Sequence, residues 1–236
     1  MLTNSTPIVF LIDVDNTLLD NDRFSADLDT RLTQSLGPDA QGQYRAVYES
    51  LRKQRGYADY LSPLQEMRNS FDGDPDLLDL AQFMLDYPFA DNAYPGVRET
   101  LAHLSTLGLT TILSDGDLVL QPRKIKRSGL WDAVQGRVLI YLHKELRLEA
   151  MQERFPAVHY AAVDDKPRVL AAIKTALGPN VTTIFIRQGH YATQTELDAS
   201  QPPPDLYFDH IADLRTLTHE QLQPPAIAVT TFKEAP

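Results

Sequence analysis

The chain has 236 residues, enough for one large domain or for a core with a smaller insert. Its net charge of -10 at pH 7 argues against a general nucleic-acid or anionic-membrane surface, because both require basic patches. The lack of cysteine excludes disulfides and thiol chemistry. No apolar run reaches the length of a membrane span, and MLTNSTPIVF lacks the basic start of a secretory signal, so we expect a cytoplasmic protein.

The first predicted element is a strand over residues 8–12 that runs directly into Asp13 and Asp15. Five almost uninterrupted apolar residues are typical of a strand buried on both faces. A carboxylate at the end of such a strand needs solvent, a partner or a ligand, because an isolated buried anion is costly. Taken alone, the motif IVFLIDVDNTLLD allows either a polar turn or a cation site.

The next 70 residues are helical in character. Periodic apolar residues predict helices over 24–36, 41–53 and 75–85, and no convincing strand follows until residues 110–113. We therefore predict an all-helical insert of residues 20–90 within an α/β core that is formed by residues 1–19 and 91–221. Residues 222–236 are a candidate flexible tail.

Strands and helices alternate in the rest of the chain. Apolar runs predict strands over 110–113, 137–142, 160–163 and 182–186, and helical spacing predicts helices over 97–107, 145–155 and 168–177. This alternation is typical of parallel crossover units. The expected fold is α/β, a doubly wound and mostly parallel Rossmann-like sheet with an inserted helical cap.

Polar side chains follow four of these strands, where ligands bind in an open parallel sheet. In chain order they are Asp13, Asp15, Ser114, Asp115, Gly116, Lys144, Asp164 and Asp165. Clustered carboxylates repel one another unless a hard cation such as Mg²⁺ lies between them. A hydroxyl, a lysine and turn N–H groups suit a bound phosphate. One carboxylate could attack phosphorus, and another could protonate the leaving alcohol.

This ordered set resembles the haloacid dehalogenase-like hydrolases. The resemblance is carried by Asp13-Val14-Asp15-Asn16-Thr17, Ser114, Lys144, Asp164-Asp165, Tyr94-Pro95-Gly96-Val97 and Ser128-Gly129-Leu130. It covers the core, roughly residues 8–19 and 93–214, and includes a helical cap in the position that one large subgroup uses. The cap sequence itself carries no matching motif.

The resemblance implies that Asp13 is the nucleophile and Asp15 the general acid/base. It implies one Mg²⁺, or Mn²⁺ in its place, held by Asp13, the Asp15 backbone carbonyl, and one or both of Asp164 and Asp165. The phosphoryl group would be bound by Ser114, Asp115, Gly116 and Lys144. Dehalogenating members lack an acid at the position of Asp15, so this residue favours a phosphatase that works through an aspartyl-phosphate.

Two features depart from the family pattern or allow a second assignment. Asp115 stands where the family often has Asn, and an extra anion beside a phosphate is unfavourable unless it faces a metal, a lysine or solvent. Lys144 is preferred as the site lysine because it follows a strand and opens a helix. We expect Lys124 and Lys126 to be solvated surface groups, and Lys166 to be a local charge partner of Asp165.

In the cap, Arg45, Arg52 and Arg55 are candidate contacts to a second anionic group of a small phosphorylated substrate. The alternative is a solvated helix face. We expect His143 to be structural and His190 to lie in a loop. A Mg²⁺-dependent phosphomonoesterase is the first reading; a phosphotransferase or mutase of the same family, or a non-catalytic binding protein, remains open. A receiver-like domain is excluded by the chain length and the large insert.

Overall fold

The computed structural model describes residues 6–194 and 199–222. Within them lies one sheet of six parallel strands in the order β3-β2-β1-β4-β5-β6. The strands are β1 Thr6–Ile12, β2 Leu109–Asp115, β3 Val138–Tyr141, β4 Ala157–Asp164, β5 Val181–Ile186 and β6 Leu206–Phe208. The predicted doubly wound α/β fold is confirmed, and every strand pair in the described part of the chain is parallel.

Four α-helices separate β1 from β2, and shorter ones connect the later strands. They are α1 Asn21–Leu36, α2 Pro38–Arg55, α3 Ser62–Phe71, α4 Pro75–Asp86, α5 Val97–Leu107, α6 Leu120–Arg127, α7 Leu130–Ala133, α8 Leu148–Arg154, α9 Pro167–Leu177 and α10 Gly189–Gln194. Short 3₁₀ helices span Phe89–Asn92, Lys144–Leu146, Gly178–Asn180, Ile211–Thr216 and Glu220–Leu222. We call α1 to α4 the cap; they occupy residues 21–86, inside the predicted insert.

The cap forms its own apolar core. Helix α1 buries Phe24, Leu28 and Leu32, which recur every four residues along one face. The Asp20 side chain caps this helix by accepting a hydrogen bond from the Arg23 N–H at 2.9 Å. Helix α2 ends at Gly56, whose φ of +79° is a left-handed conformation that favours glycine.

The chain leaves and re-enters the sheet domain at neighbouring points. Leu19 pairs with Ala93 in an antiparallel bridge, and the Tyr94 N–H donates to the Leu18 carbonyl at 3.0 Å. The Asp20 N–H donates to the Asn92 carbonyl at 2.7 Å beside them. Both cap connections therefore lie next to the carboxyl end of β1, which places the cap over that end of the sheet.

The two faces of the sheet bury separate apolar clusters. Along β1, Val9 and Leu11 point to one face and Phe10 and Ile12 to the other, as strand geometry requires. Among the described residues, no helix is both long enough and apolar enough to cross a bilayer. The predicted tail lies outside the described residues, apart from Leu222.

Candidate active site

The carboxyl ends of β1, β2 and β4 bring the predicted acids together around one buried ammonium. Lys144 opens the 3₁₀ helix that follows β3, and its side chain is 1% exposed. Its Nζ lies 2.5 Å from Asp13 Oδ1 and 2.7 Å from Asp164 Oδ2, and it also donates to the Leu113 carbonyl at 3.3 Å. Lys144, rather than Lys126, which is exposed, is thus the lysine that contacts Asp13.

Three buried carboxylates form a candidate cation site. Asp13, Asp164 and Asp165 each offer an oxygen within 4.8 Å of the others. Asp13 Oδ2 and both oxygens of Asp165 are buried and lack a hydrogen-bond partner in the described part of the chain. Leaving such oxygens unsatisfied is costly, and carboxylate oxygens are the ligands that Mg²⁺ prefers. The residues present therefore fit a hard divalent cation.

The electrostatics separate Asp13 from its neighbours. Burial would raise the pKa of Asp13, but the charges of Lys144 and Lys166 outweigh it and hold that pKa below its ordinary value. Burial raises the pKa of Asp164, and it raises the pKa of Asp165 further. The lowered pKa makes Asp13 an anion at neutral pH, while the other pair would gain from a bound cation.

The predicted phosphate-binding residues have different surroundings. The Ser114 hydroxyl is buried and accepts a hydrogen bond from Gln121 Nε2 at 3.0 Å. The Gly116 N–H donates to the Tyr141 carbonyl at 2.9 Å, so this N–H extends the sheet and is not available to a phosphate. The Asp115 carboxylate accepts a hydrogen bond from the Lys144 backbone N–H at 2.7 Å. The extra anion therefore faces the backbone at the start of the 3₁₀ helix that follows β3.

Asp115 carries a pH-dependent cost that a substitution can reveal. Burial raises its pKa from 3.8 to about 6, so the unfolded chain releases the proton first and stability falls as pH rises through that window. The loss approaches about 3 kcal/mol above pH 6, from roughly 1.4 kcal/mol per pKa unit. Asp115→Asn keeps an acceptor for the Lys144 N–H. We expect it to raise the thermal midpoint by about 6–12 °C at pH 8, from about 2–4 °C per kcal/mol for a chain of this size, and to match the unsubstituted chain near pH 3.5.

The measurement is thermal unfolding of both proteins across pH, with EDTA present. A midpoint difference that stays constant between pH 3.5 and pH 8 would contradict the assignment. Asp132→Asn, on short helix α7, is the matched exposed carboxylate.

Lys124 corrects a sequence prediction. We expected a solvated surface lysine, but its side chain is buried, 1% exposed, and its Nζ donates to Asp15 Oδ1 at 2.8 Å. A second bond at 2.8 Å joins Nζ to Asn21 Oδ1. The reason is that α6 buries Leu120 and Lys124 against the cap: Leu120 packs in the cap core, and Lys124 reaches Asn21 of α1.

A cavity of about 750 Å³ lies between the cap and the sheet. Its lining includes Asp15, Asp115, Lys166, Arg45, Tyr48, Arg52, Tyr57 and Tyr191. Two of the three predicted cap arginines are on this wall. Arg45 is neutralised by Asp29, with two contacts of 2.6 Å. Arg55 is not among the lining residues; it pairs with Asp59 and donates to Ser62 at 2.8 Å.

Arg52 has the loosest ion pair of the three arginines. Its guanidinium is 3.7 Å from Glu49, and its Cζ lies 5.6 Å from the centre of the Tyr191 ring. Lys166 Nζ lies 5.4 Å from the same ring. Arg52 of the cap and Lys166 of the sheet domain thus converge on one aromatic side chain at the cavity wall.

Two histidines join the cap to the sheet domain. His190 lies in α10, not in a loop as expected. Its backbone N–H donates to Asp22 Oδ2 at 2.8 Å, and its ring Nδ1 lies 2.6 Å from Asp22 Oδ1. His143 packs against Gly56 at the end of α2, where a Cβ would collide with the imidazole. The structural role expected of His143 therefore takes the form of a cap contact.

No protein-family model and no curated protein matches the chain. Among solved structures, a haloacid dehalogenase-like hydrolase from Burkholderia xenovorans LB400 is 52% identical, with a TM-score of 0.84. The match covers 89% of this chain and 98% of that one. This chain belongs to the haloacid dehalogenase-like hydrolases. The resemblance inferred from the motifs is confirmed, and the chain is a hydrolase of this family.

More distant members share only the fold. The L-2-haloacid dehalogenase from Xanthobacter autotrophicus is 16% identical with a TM-score of 0.60, over 88% of this chain and 96% of that one. A HAD-hydrolase from Bacillus subtilis, solved with bound magnesium, is 15% identical with a TM-score of 0.61. The match covers 89% of this chain and 97% of that one. At these identities the likeness shows the fold alone, so the reaction must be argued from the site.

Proposed function

We propose that the protein is a Mg²⁺-dependent phosphomonoester hydrolase that acts on a small phosphorylated metabolite through an aspartyl-phosphate on Asp13. The observation that carries the proposal is Asp15, a carboxylate on the cavity wall two residues beyond the buried Asp13. A dehalogenase has no use for this acid because halide leaves without a proton. An alkoxide leaving group needs one.

The proposed reaction uses the residues in two steps. An Asp13 carboxylate oxygen attacks phosphorus, the ester P–O bond breaks, and Asp15 gives its proton to the departing oxygen. Asp15, now a carboxylate, takes a proton from water; the water oxygen attacks phosphorus, and the P–O bond to Asp13 breaks. Inorganic phosphate and a regenerated Asp13 carboxylate result.

The remaining site residues supply charge and orientation. Lys144 offsets the negative charge on Asp13, and the Ser114 hydroxyl is a candidate donor to a phosphoryl oxygen. Mg²⁺ would be held by Asp13, the Asp15 backbone carbonyl, and one or both of Asp164 and Asp165, in line with the unpartnered oxygens of Asp13 and Asp165 among the described residues. When bound, the ion supplies charge neutralisation for the phosphoryl oxygens.

The test compares the two chemistries on one protein. We expect phosphate release from 4-nitrophenyl phosphate with Mg²⁺, its loss with EDTA, and no halide release from L-2-chloropropionate. Stopping a single turnover in cold acid should trap phosphate on the chain that hydroxylamine releases, as it does from an acyl phosphate. Halide release without phosphate release would overturn the proposal. Transfer of the phosphoryl group to added alcohols in preference to water would favour a phosphotransferase.

The cap arginines give a prediction about the substrate. Arg52 lines the cavity with only a loose ion pair, whereas Arg55 is paired outside it. If the substrate carries a second anionic group, Arg52→Ala should raise KM about 10-fold for it and leave KM for 4-nitrophenyl phosphate unchanged. Arg55→Ala is the matched control and should leave both values alone. Steady-state kinetics over a panel of phosphorylated carboxylic acids measures this, and equal effects of both variants would contradict it.

A further inference from the structure

Lys124 is a buried cation whose carboxylate partner is the proposed general acid. Its side chain is 1% exposed and its Nζ bonds Asp15 Oδ1 at 2.8 Å. Within residues 6–194 and 199–222, no other group donates a hydrogen bond to the Asp15 side chain. The protein therefore holds Oδ1 of Asp15. The other oxygen, Oδ2, belongs to a residue of the cavity wall and has no donor among the described residues.

The ammonium is fixed from three sides. A second acceptor, Asn21 Oδ1, lies at 2.8 Å on the first residue of α1, and Asn21 in turn donates to the Tyr60 hydroxyl at 3.0 Å. Aromatic rings surround Nζ, with centroids 5.6 Å away for Phe24, 5.9 Å for Tyr60 and 5.7 Å for Phe89. Rings attract a cation and exclude water, so the bond to Asp15 is weakly screened.

A free carboxylate rotates about its Cα–Cβ and Cβ–Cγ bonds, and general acid catalysis needs it within hydrogen-bond reach of the leaving oxygen. We infer that Lys124 is the positioning residue for Asp15: by holding Oδ1, it keeps Oδ2 directed at the ester oxygen. The inference rests on the proposed function, in which Asp15 transfers the proton. Among the described residues, the polar contacts of the Lys124 side chain are Asp15 and Asn21, so it does not touch Asp13, Asp164 or Asp165.

The experiment measures how the rate depends on the leaving group. The full chain is assayed with Mg²⁺ on 4-nitrophenyl, phenyl and 4-methoxyphenyl phosphate. We follow kcat/KM because it reports only the steps up to and including the departure of the phenol. Nitrophenolate leaves without a proton, whereas methoxyphenolate needs one. Lys124→Met should lower kcat/KM about 10- to 100-fold for 4-methoxyphenyl phosphate, part of the 10²–10⁴ that a general acid contributes. For 4-nitrophenyl phosphate the change should stay under about 3-fold.

Two further variants separate positioning from simple damage. Lys126→Met, at an exposed position two residues along the same helix, should change none of the three values. In an Asp15→Asn background Lys124→Met should add no further loss, because residues that act through one group are not additive. Retained 4-nitrophenyl phosphate activity also reports that Lys124→Met folds; if it does not fold, Lys124→Leu, which likewise has no donor for Asp15, is read in the same way.

An equal loss for all three substrates, or a loss that persists in the Asp15→Asn background, overturns the positioning role and leaves the proposed hydrolase intact. Absence of phosphate release from the unsubstituted protein overturns the hydrolase, and the positioning role with it. A steeper dependence on the leaving group in Lys124→Met alone supports both.

Discussion

Asp13→Asn should abolish phosphate release, with kcat lowered by at least about 10⁴-fold, because an amide cannot serve as the attacking carboxylate. Asp13 is 2% exposed and lies 2.5 Å from Lys144, so its geometry is fixed and its pKa is held low. Asparagine has nearly the same shape, and Lys144 keeps its contact with Asp164 at 2.7 Å. The fold should therefore survive while the chemistry stops.

The decisive readout is hydroxylamine-labile phosphate on the chain after mixing with 4-nitrophenyl phosphate and Mg²⁺ and stopping the reaction in cold acid. The unsubstituted protein should trap it and Asp13→Asn should not. Asp209→Asn, at an exposed carboxylate that pairs with Arg187 at 2.7 Å, is the matched control and should behave as the unsubstituted protein does. Mass spectrometry checks that the new asparagine has not deamidated. Normal turnover by a verified Asp13→Asn protein would refute the nucleophile assignment.

Lys144→Met should cause the largest combined loss of activity and stability. The ammonium neutralises Asp13 and Asp164 in a fully buried setting, and those acids in turn raise its pKa, outweighing burial. Removing one partner of a buried ion pair costs about 3–5 kcal/mol, since the other charge is left uncompensated. Asp13 would lose the larger of the two lysine charges that hold its pKa low, so kcat/KM should fall by about 10³-fold or more.

The stability effect should depend on the cation. With EDTA, the thermal midpoint of Lys144→Met should fall far below that of the unsubstituted protein, and Mg²⁺ should restore a larger part of it in the variant. Lys174→Met is the control, because Lys174 pairs with Asp205 at 2.7 Å in a half-exposed setting remote from the site. Equal midpoint losses in the two lysine variants, or no greater response to Mg²⁺ in Lys144→Met, would argue against a shared charge cluster.

The strand ends were predictable because local sequence determines them. An apolar run followed by carboxylates identifies the end of β1 and of β4, and the parallel topology then brings both ends to one edge. Bounds shifted by one to three residues: β4 begins at Ala157, three residues before the predicted start. Helix α5 was predicted with its observed bounds, since Gly96 and Gly108 flank a periodic segment.

Other elements carry too little local signal. Helix α3 contains only Leu64 and Met67 as buried periodic positions besides Pro63, and it is stabilised by packing against α2 and α4. Strand β6 has three residues and follows the proline-rich segment 202–204. In both cases tertiary packing, not propensity, determines the structure.

Lys124 shows why the site was incompletely predicted. Its neighbours Arg123, Lys126 and Arg127 make the segment resemble a solvated basic helix. The useful signal was the spacing of Leu120 and Lys124, four residues apart on one face of α6. That face is buried only because the cap covers it. How closely the cap approaches the sheet domain is a property of the whole fold, so the sequence of α6 alone could not show that Lys124 is buried.

The glycine that ends α2 has a consequence for the size of the space above the catalytic acids. Gly56 packs against the imidazole of His143, which immediately precedes Lys144. A Cβ at this position would collide with that ring, where the cap meets the sheet domain. The lack of a side chain at Gly56 thus lets the end of α2 lie close to the sheet domain. A larger residue at Gly56 would have to adopt the same left-handed conformation and displace the imidazole, so this contact at the cavity wall depends on glycine.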